Sequence, residues 1–198
     1  MKSEILLKWL LLLLFLTIPI IVFFLIISAY NPLISASSLI QDEVFEKKVE
    51  LGYPVQIMIP KINVDAVVES VGFTSKGEMD AADGPLNAAW FNIGPIPGEI
   101  GNSVIDGHSG WKDGTPAVFD DLYKLAEGDK IYIKNQNGEI VTFVVRSLRI
   151  YGKNENTLSI FNSNDGLAHL NLITCAGKWN KNKKSSYDRL VVFSDKEI

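Results

Sequence analysis

Beyond residue 54 the sequence predicts an all-β sandwich or barrel with short helices, and ahead of it a transmembrane helix. The β prediction rests on short runs of apolar and β-branched residues separated by Gly, Pro, Asn and Asp turn signals. Between two of these runs lies Asn137-Gly138, the strongest short-range signal for a hairpin. The transmembrane prediction rests on residues 9–27, which are uncharged and almost entirely apolar. With 198 residues, the chain has room for one such domain and an appendage.

The apolar N-terminal segment has the length of a membrane anchor. A helix of about 20 apolar residues spans a bilayer, and membrane helices tolerate a proline such as Pro19. The h-region of a cleavable signal peptide is only about 7–15 residues long, although cleavage near Ser35-Ala36-Ser37 remains the alternative. Lys2 and Lys8 precede the segment, and the next basic residue is Lys47. The positive-inside rule therefore predicts a cell-membrane protein with a cytoplasmic N-terminus and an extracytoplasmic domain.

The predicted organisation has three parts. Residues 1–30 form the cytoplasmic tip and the anchor, residues 31–54 a stalk, and residues 55–198 a single domain without internal repeats. In chain order the predicted strands are 55–59, 64–71, 103–106, 130–134, 140–150, 168–174 and 189–193. Residues 74–85 and 92–101 are rich in Gly, Pro or Asp and indicate loops. The apolar spacing in residues 116–125 favours a short helix or 3₁₀ segment, and residues 157–161 one helical turn.

The only cysteine, Cys175, follows the strand predicted at 168–174 and precedes the small residues Ala176-Gly177. Extracytoplasmic cysteines normally pair, and this one has no partner within the chain. It is therefore a buried inert thiol, an intermolecular bridge or a reactive nucleophile. A nucleophilic thiol needs a neighbouring base or a lowered pKa.

Two histidines are available as that base. His108 follows a short strand and lies among Gly107, Ser109 and Gly110, which indicates an accessible ring at a strand end. His169 lies six residues before Cys175 on the same predicted strand, a separation of about 20 Å. We therefore expect His169 to be structural or to face solvent. His108 is the candidate partner of the thiol.

Acyl transfer also needs a positive group where the oxyanion develops. Of the three arginines, Arg146 and Arg149 lie on the long strand at 140–150 and are expected to be surface charges. Arg189 opens the last strand, where its guanidinium is able to donate two hydrogen bonds to a carbonyl or oxyanion. A surface ion pair is the alternative role for Arg189.

Together these residues resemble the sortase family. The order of His108, Cys175 and Arg189 matches, and the segment 171–175, Asn-Leu-Ile-Thr-Cys, is similar to the family's Thr-Leu-x-Thr-Cys motif with Asn171 in place of the first Thr. The resemblance extends over about residues 55–194 and includes Ile59-Pro60, Pro97-Gly98 and Asp129-Lys130-Ile131. In its details the chain looks closest to class F or class E-like sortases.

The resemblance implies an eight-stranded β-barrel and a cysteine transpeptidase. Cys175 would attack a Thr–Gly-type bond in the C-terminal sorting motif of a surface protein, and His108 would serve as acid and base. Arg189 would hold the substrate and the oxyanion, with Thr174 and Asp106 as weaker candidates for support of the site. The acceptor amine would come from a peptidoglycan precursor or a pilin lysine.

Other function classes are excluded or remain as alternatives. The formal net charge of −4 gives no electrostatic footprint for nucleic acid. The histidines and the cysteine lack metal-ligand spacing, and the acidic loop residues, which are possible calcium ligands, show no specific cage, so we expect neither a metal nor another cofactor. The basic loop with Trp179, Lys178, Lys181, Lys183 and Lys184 is either solvated or helps to select the acceptor. A hydrolytic cysteine peptidase and a non-catalytic tethered β-domain are the competing functions.

Overall fold

The computed structural model describes residues 18–23, 25–27, 51–176 and 188–198. Residues 18–23 and 25–27 are helical. Within the described residues, no helix combines the length and the apolarity that a membrane span requires. Most of the predicted anchor and stalk and the whole basic loop at 178–184 lie outside the described residues. The chain divides into two units, Met1–Val49 and Glu50–Ile198.

Eight strands of the second unit form a closed barrel. They are β1 (Pro54–Ile59), β2 (Val64–Val71), β3 (Ala88–Phe91), β4 (Gly101–Gly107), β5 (Lys130–Asn135), β6 (Ile140–Tyr151), β7 (Ala168–Ala176) and β8 (Asp188–Lys196). Their order around the barrel is β1-β2-β3-β4-β7-β8-β6-β5, and pairing of β1 with β5 closes it. The pairs β2–β3 and β4–β7 are parallel and the others antiparallel. The eight-stranded barrel implied by the resemblance is confirmed.

Alternation along the strands produces two apolar clusters. The interior of the barrel is filled by a large cluster to which β4, β7 and β8 contribute Ile105, Leu172 and Val192. The outer face of the same three strands carries a second cluster, which includes Val104, Ile173, Val191, Phe91, Tyr151 and Ile160. This outer face is therefore covered by other parts of the chain rather than left fully in water.

Most predicted elements are confirmed, with bounds that shift by a few residues. Asn137-Gly138 joins β5 to β6, and Gly138 has the positive φ of 83° that this hairpin turn requires. The helical turn predicted at 157–161 is the helix α1 (Leu158–Phe161). Of the short helix or 3₁₀ segment predicted at 116–125, the structure forms a 3₁₀ turn at Leu122–Lys124, and the apolar residues that suggested it are buried. Strand β3 was not predicted.

Candidate active site

Strand β7 carries Cys175 and pairs it with Arg189. The sequence predicts that the strand ends at residue 174, but β7 continues to Ala176, so the thiol lies within the ladder. Cys175 and Arg189 are register partners on the antiparallel strands β7 and β8. Directly opposed residues project from the same face of a sheet. Cys175 is a free, partly buried cysteine, and Arg189 is also partly buried.

On the other side of β7, strand β4 brings His108 towards the thiol. The two strands are parallel, with Asp106 opposite Ile173. Continuing that register by two residues places His108, the first residue after β4, beside Cys175 and on the same face. The buried Thr174 donates its hydroxyl to the carbonyl oxygen of Gly107 over 2.7 Å, which holds the end of β4 against β7. His108 and Arg189 therefore flank Cys175 from the two neighbouring strands.

Gly107 permits the approach of a segment that fixes the position of His108. A Cβ atom added at Gly107 would clash with the ring of Phe119 and would lie 2.7 Å from Cγ1 of Val118. The backbone N–H of Phe119 donates to the carbonyl oxygen of His108 over 2.9 Å. Only glycine allows this segment to pack directly on the end of β4, so the glycine before the histidine has a steric role.

Asp106 lies on the same outer face as Cys175 and His108, two residues before the histidine. Burial raises the pKa of its carboxyl to about 6, although the positive charges of His108 and Arg189 and the backbone N–H of Gly107 lower it. A carboxyl in this position is within electrostatic reach of both cationic candidates. The sequence alone gave only a weak indication of this residue.

The surroundings of Cys175 disfavour the ionised form of its thiol. Burial raises the pKa of Cys175 above its ordinary value, Arg189 opposes this by stabilising the thiolate, and the nearby Asp106 reinforces it. Activation of the sulfur therefore depends on transfer of its proton to a neighbouring base and on the positive charge of Arg189. His108 is the candidate base, which the β4–β7 register places beside the thiol.

Two aromatic residues at this site were missed in the sequence. The ring of Trp111 lies 4.8 Å from that of His108, measured between centroids. Tyr151 on β6 is the register partner of Arg189 and is buried. An aromatic residue three positions after a histidine, in a loop of small residues, was the available signal for Trp111. The sequence contains no such signal for Tyr151, because its position opposite Arg189 is set by the pairing of β6 with β8.

The remaining candidates lie elsewhere. His169 is opposite Asp195, six residues along β7 from Cys175, and its buried ring contacts the carboxylates of Asp165 and Asp195. Of the two options predicted for His169, structural or solvent-facing, its burial and its contacts favour the structural one. Arg146 and Arg149 are exposed and form ion pairs with Asp195 and Glu155, as expected of surface charges.

Comparison with known proteins places the chain in a family. The model of the sortase domain matches residues 57–197. No curated protein sequence matches the chain. Among similar solved structures is sortase A from Corynebacterium diphtheriae, with 24% identity, a TM-score of 0.59 and coverage of 76% of this chain and 63% of that chain. The chain thus spans less than two thirds of the length of that sortase.

This chain matches a larger share of the length of two further solved structures. Sortase C-1 from Actinomyces oris has 25% identity, a TM-score of 0.56 and coverage of 80% of this chain and 81% of that chain. The sortase D5 transpeptidase from Clostridium perfringens has 23% identity, a TM-score of 0.55 and coverage of 77% of this chain and 84% of that chain. These relatives belong to classes A, C and D, so the class F or class E-like assignment stays a prediction. The family match and the shared barrel show that this chain belongs to the sortase family, whose members are cysteine transpeptidases.

Proposed function

We propose that the chain is a membrane-anchored cysteine transpeptidase that cleaves a C-terminal sorting motif and joins the protein to an amine. The observation that carries this proposal is the position of Cys175 on β7, with Arg189 as its register partner on one side and His108 on the other. Membership of the sortase family supports the same chemistry. The apolar N-terminal segment supports the anchor, with the barrel on the extracytoplasmic side.

In the first half-reaction the sulfur attacks the carbonyl carbon of a Thr–Gly-type bond. The proton of Cys175 passes to His108, because the thiolate and not the thiol is the nucleophile. The tetrahedral oxyanion accepts hydrogen bonds from the Arg189 guanidinium. The C–N bond then breaks, the His108 imidazolium protonates the departing amine, and a thioester remains on Cys175.

In the second half-reaction an acceptor amine attacks the thioester. His108, now neutral, removes a proton from the incoming nitrogen, and the sulfur leaves as the new amide forms. The acceptor is the amine of a peptidoglycan precursor or a pilin lysine, and the acyl donor is a surface protein with a sorting motif. The competing reaction is attack by water, which would make the enzyme a peptidase.

The test uses the full chain in detergent with synthetic peptides that carry a Thr–Gly bond in varied sequence contexts, and an added amine. We expect mass spectrometry to detect an acyl group on Cys175 and an amide product that increases with amine concentration. If only the hydrolysis product forms at every amine concentration, the transpeptidase function is wrong and the peptidase is favoured. If Cys175 forms no acyl group and does not react with iodoacetamide, the non-catalytic alternative is favoured.

A further inference from the structure

The outer face of β4 carries a carboxyl that the proposed mechanism does not use. Asp106 is opposite Ile173 on β7 and is therefore one same-face position away from Cys175. Two residues along a strand and one strand across correspond to about 8 Å between backbone positions. Its other neighbour in the sheet, β3, places Ala89 opposite it and contributes no charge there. Among the described residues, the charged groups that act on Asp106 are His108 and Arg189.

The effect of a carboxylate in this position follows from the charges of the site when Cys175 is a thiolate and His108 is protonated. The protonated His108 and the guanidinium of Arg189 contribute two positive charges, and the Cys175 thiolate contributes one negative charge. Bringing two like charges together in a partly buried site is unfavourable unless a compensating charge is near. An ionised Asp106 makes the set of four groups neutral. It attracts both cations and repels the thiolate, in agreement with the electrostatic effects on Asp106 and Cys175.

We propose that Asp106 is a positioning residue that acts through its negative charge, by holding the His108 imidazolium and the Arg189 guanidinium at the thiol and by restraining ionisation of Cys175 until His108 accepts its proton. Its part in turnover rests on the proposed function, whereas its effect on the thiol does not. Asp106 touches neither the scissile bond nor the sulfur in this scheme, so it is not itself a catalytic residue.

If Asp106 has this role, removal of its charge should change two rates in opposite directions: the reaction of the Cys175 thiol and the protonation of the departing amine by His108. Without the carboxylate the thiolate is no longer repelled, so Cys175 should react faster with a small uncharged reagent. The imidazolium is also no longer favoured, so protonation of the departing amine should slow. A purely structural role predicts that both rates fall together when the site is distorted. The direction of the two changes therefore separates the roles.

The experiment measures alkylation of Cys175 by iodoacetamide in the full chain in detergent, for the wild type and Asp106→Asn. At pH 8.5 we expect Asp106→Asn to react about three- to fivefold faster, the size expected for one charge at this distance in a partly solvated site. At pH 5 the wild-type carboxyl is mostly protonated, because the pKa of Asp106 is raised to about 6, and the two proteins should react alike. Asp106→Glu should restore the slow reaction at pH 8.5.

Two controls keep the result interpretable. Asp65→Asn removes an exposed carboxyl on β2 and should match the wild type at both pH values. Asp106→Ser removes the charge with a smaller side chain, and it replaces Asp106→Asn if far-UV circular dichroism shows that the amide variant is misfolded. A rate ratio that is the same at pH 5 and pH 8.5 overturns the proposal, and so does alkylation that slows when the charge is removed.

Turnover of the Thr–Gly peptides gives the second measurement. We expect Asp106→Asn to lower kcat/KM at least threefold near neutral pH while alkylation accelerates. If the wild type forms no amide but the alkylation ratio depends on pH as stated, the proposed function fails and the effect of Asp106 on the thiol stands. If the wild type forms amide and Asp106→Asn matches it in both assays, the inference about Asp106 alone is wrong.

Discussion

Cys175 and Arg189 are register partners on the antiparallel strands β7 and β8, so their side chains leave the barrel on one face. The backbone ladder of two central strands, rather than a loop, thus sets the spacing between the thiol and the guanidinium. His108 follows β4 on the opposite side of β7. Strand order, which places β4, β7 and β8 side by side, is what joins three residues distant in sequence.

The first prediction concerns the shape of the Arg189 side chain. We expect Arg189→Lys to lower kcat by about a hundredfold, with a smaller change in KM. Lysine keeps the positive charge but cannot donate the bidentate hydrogen bonds that the guanidinium offers to the oxyanion. Steady-state kinetics with the Thr–Gly peptides measures this. Arg146→Lys is the matched control, since Arg146 is exposed and pairs with Asp195 away from the thiol. Equal losses in the two variants would contradict the role of Arg189.

A second prediction follows from the protonation state of the thiol. Burial raises the pKa of Cys175, so its rate of alkylation should still be rising at about pH 9, where a free cysteine of ordinary pKa near 8.5 has begun to level off. Because Arg189 lowers the pKa of Cys175, Arg189→Gln should move the whole profile to higher pH. A wild-type plateau near neutral pH would show a preformed thiolate and would contradict this description of the site.

The sequence was sufficient to select His108, Cys175 and Arg189 as candidates, but their convergence depends on the strand order, which local patterns do not contain. Each lies at or near the end of an apolar strand, and a β-rich domain with one thiol leaves few ways to build a nucleophilic site. Strand β3 was missed because Ala88–Phe91 is only four residues long and all four residues are buried, so it shows no alternation. The burial of strand β3 comes from its neighbours β2 and β4, which lie elsewhere in the sequence.

For Asp106 and the segment at 116–125, prediction from the sequence was limited for a different reason. The charge environment of Asp106 depends on β8, which lies two strands away around the barrel and more than eighty residues along the chain. Residues 116–125 have helical apolar spacing, but Asp120 accepts hydrogen bonds from the backbone N–H groups of Gly110 and Ala117 and fixes turns instead. Tertiary contacts determine both the charge environment of Asp106 and the conformation of residues 116–125, and a local sequence pattern carries no information about those contacts.

The third prediction concerns the glycine before the histidine. Gly107→Ala should lower kcat/KM at least tenfold and destabilise the barrel by about 1–3 kcal/mol, the usual cost of overpacking. The added methyl group would displace Val118 and Phe119, and with them the hydrogen bond from Phe119 to the His108 carbonyl. Urea unfolding and peptide kinetics measure the two effects. Gly72→Ala is the control, because its Cβ atom would meet only Oδ1 of Asn92, at 3.7 Å. Similar losses in both variants would contradict the steric role.

The contact between Trp111 and His108 gives a fourth prediction. An aromatic face favours an adjacent cation by about 0.5–1 kcal/mol at a partly exposed site. Trp111→Ala should therefore lower kcat about two- to fivefold, with far-UV circular dichroism unchanged, and Trp111→Phe should recover much of the loss. Tyr123→Ala removes an exposed aromatic side chain and serves as the control. An unchanged kcat in Trp111→Ala would show that the contact has no part in turnover.

The last prediction concerns acid stability at the end of the barrel remote from the thiol. The buried ring of His169 lies with Nδ1 2.7 Å from Oδ1 of Asp195 and Nε2 3.0 Å from Oδ2 of Asp165, so each ring nitrogen contacts a carboxylate. The backbone N–H of Leu167 is the largest of the causes that hold the pKa of Asp165 well below its ordinary range, followed by hydrogen bonds from His169 and Ser163. The cluster links the loop before β7 to strands β7 and β8.

A carboxylate with a depressed pKa stabilises the fold fully above its unfolded pKa, about 4, and loses that contribution as the pH falls below it. We therefore expect the urea midpoint of the wild type to decrease more between pH 6 and pH 3 than that of Asp165→Asn, which is destabilised already at pH 6. Asp65→Asn, at an exposed carboxyl on β2, should retain the wild-type dependence. If Asp165→Asn shows the same decrease as the wild type, Asp165 is not a source of acid sensitivity, and the cluster around His169 is only a packing contact.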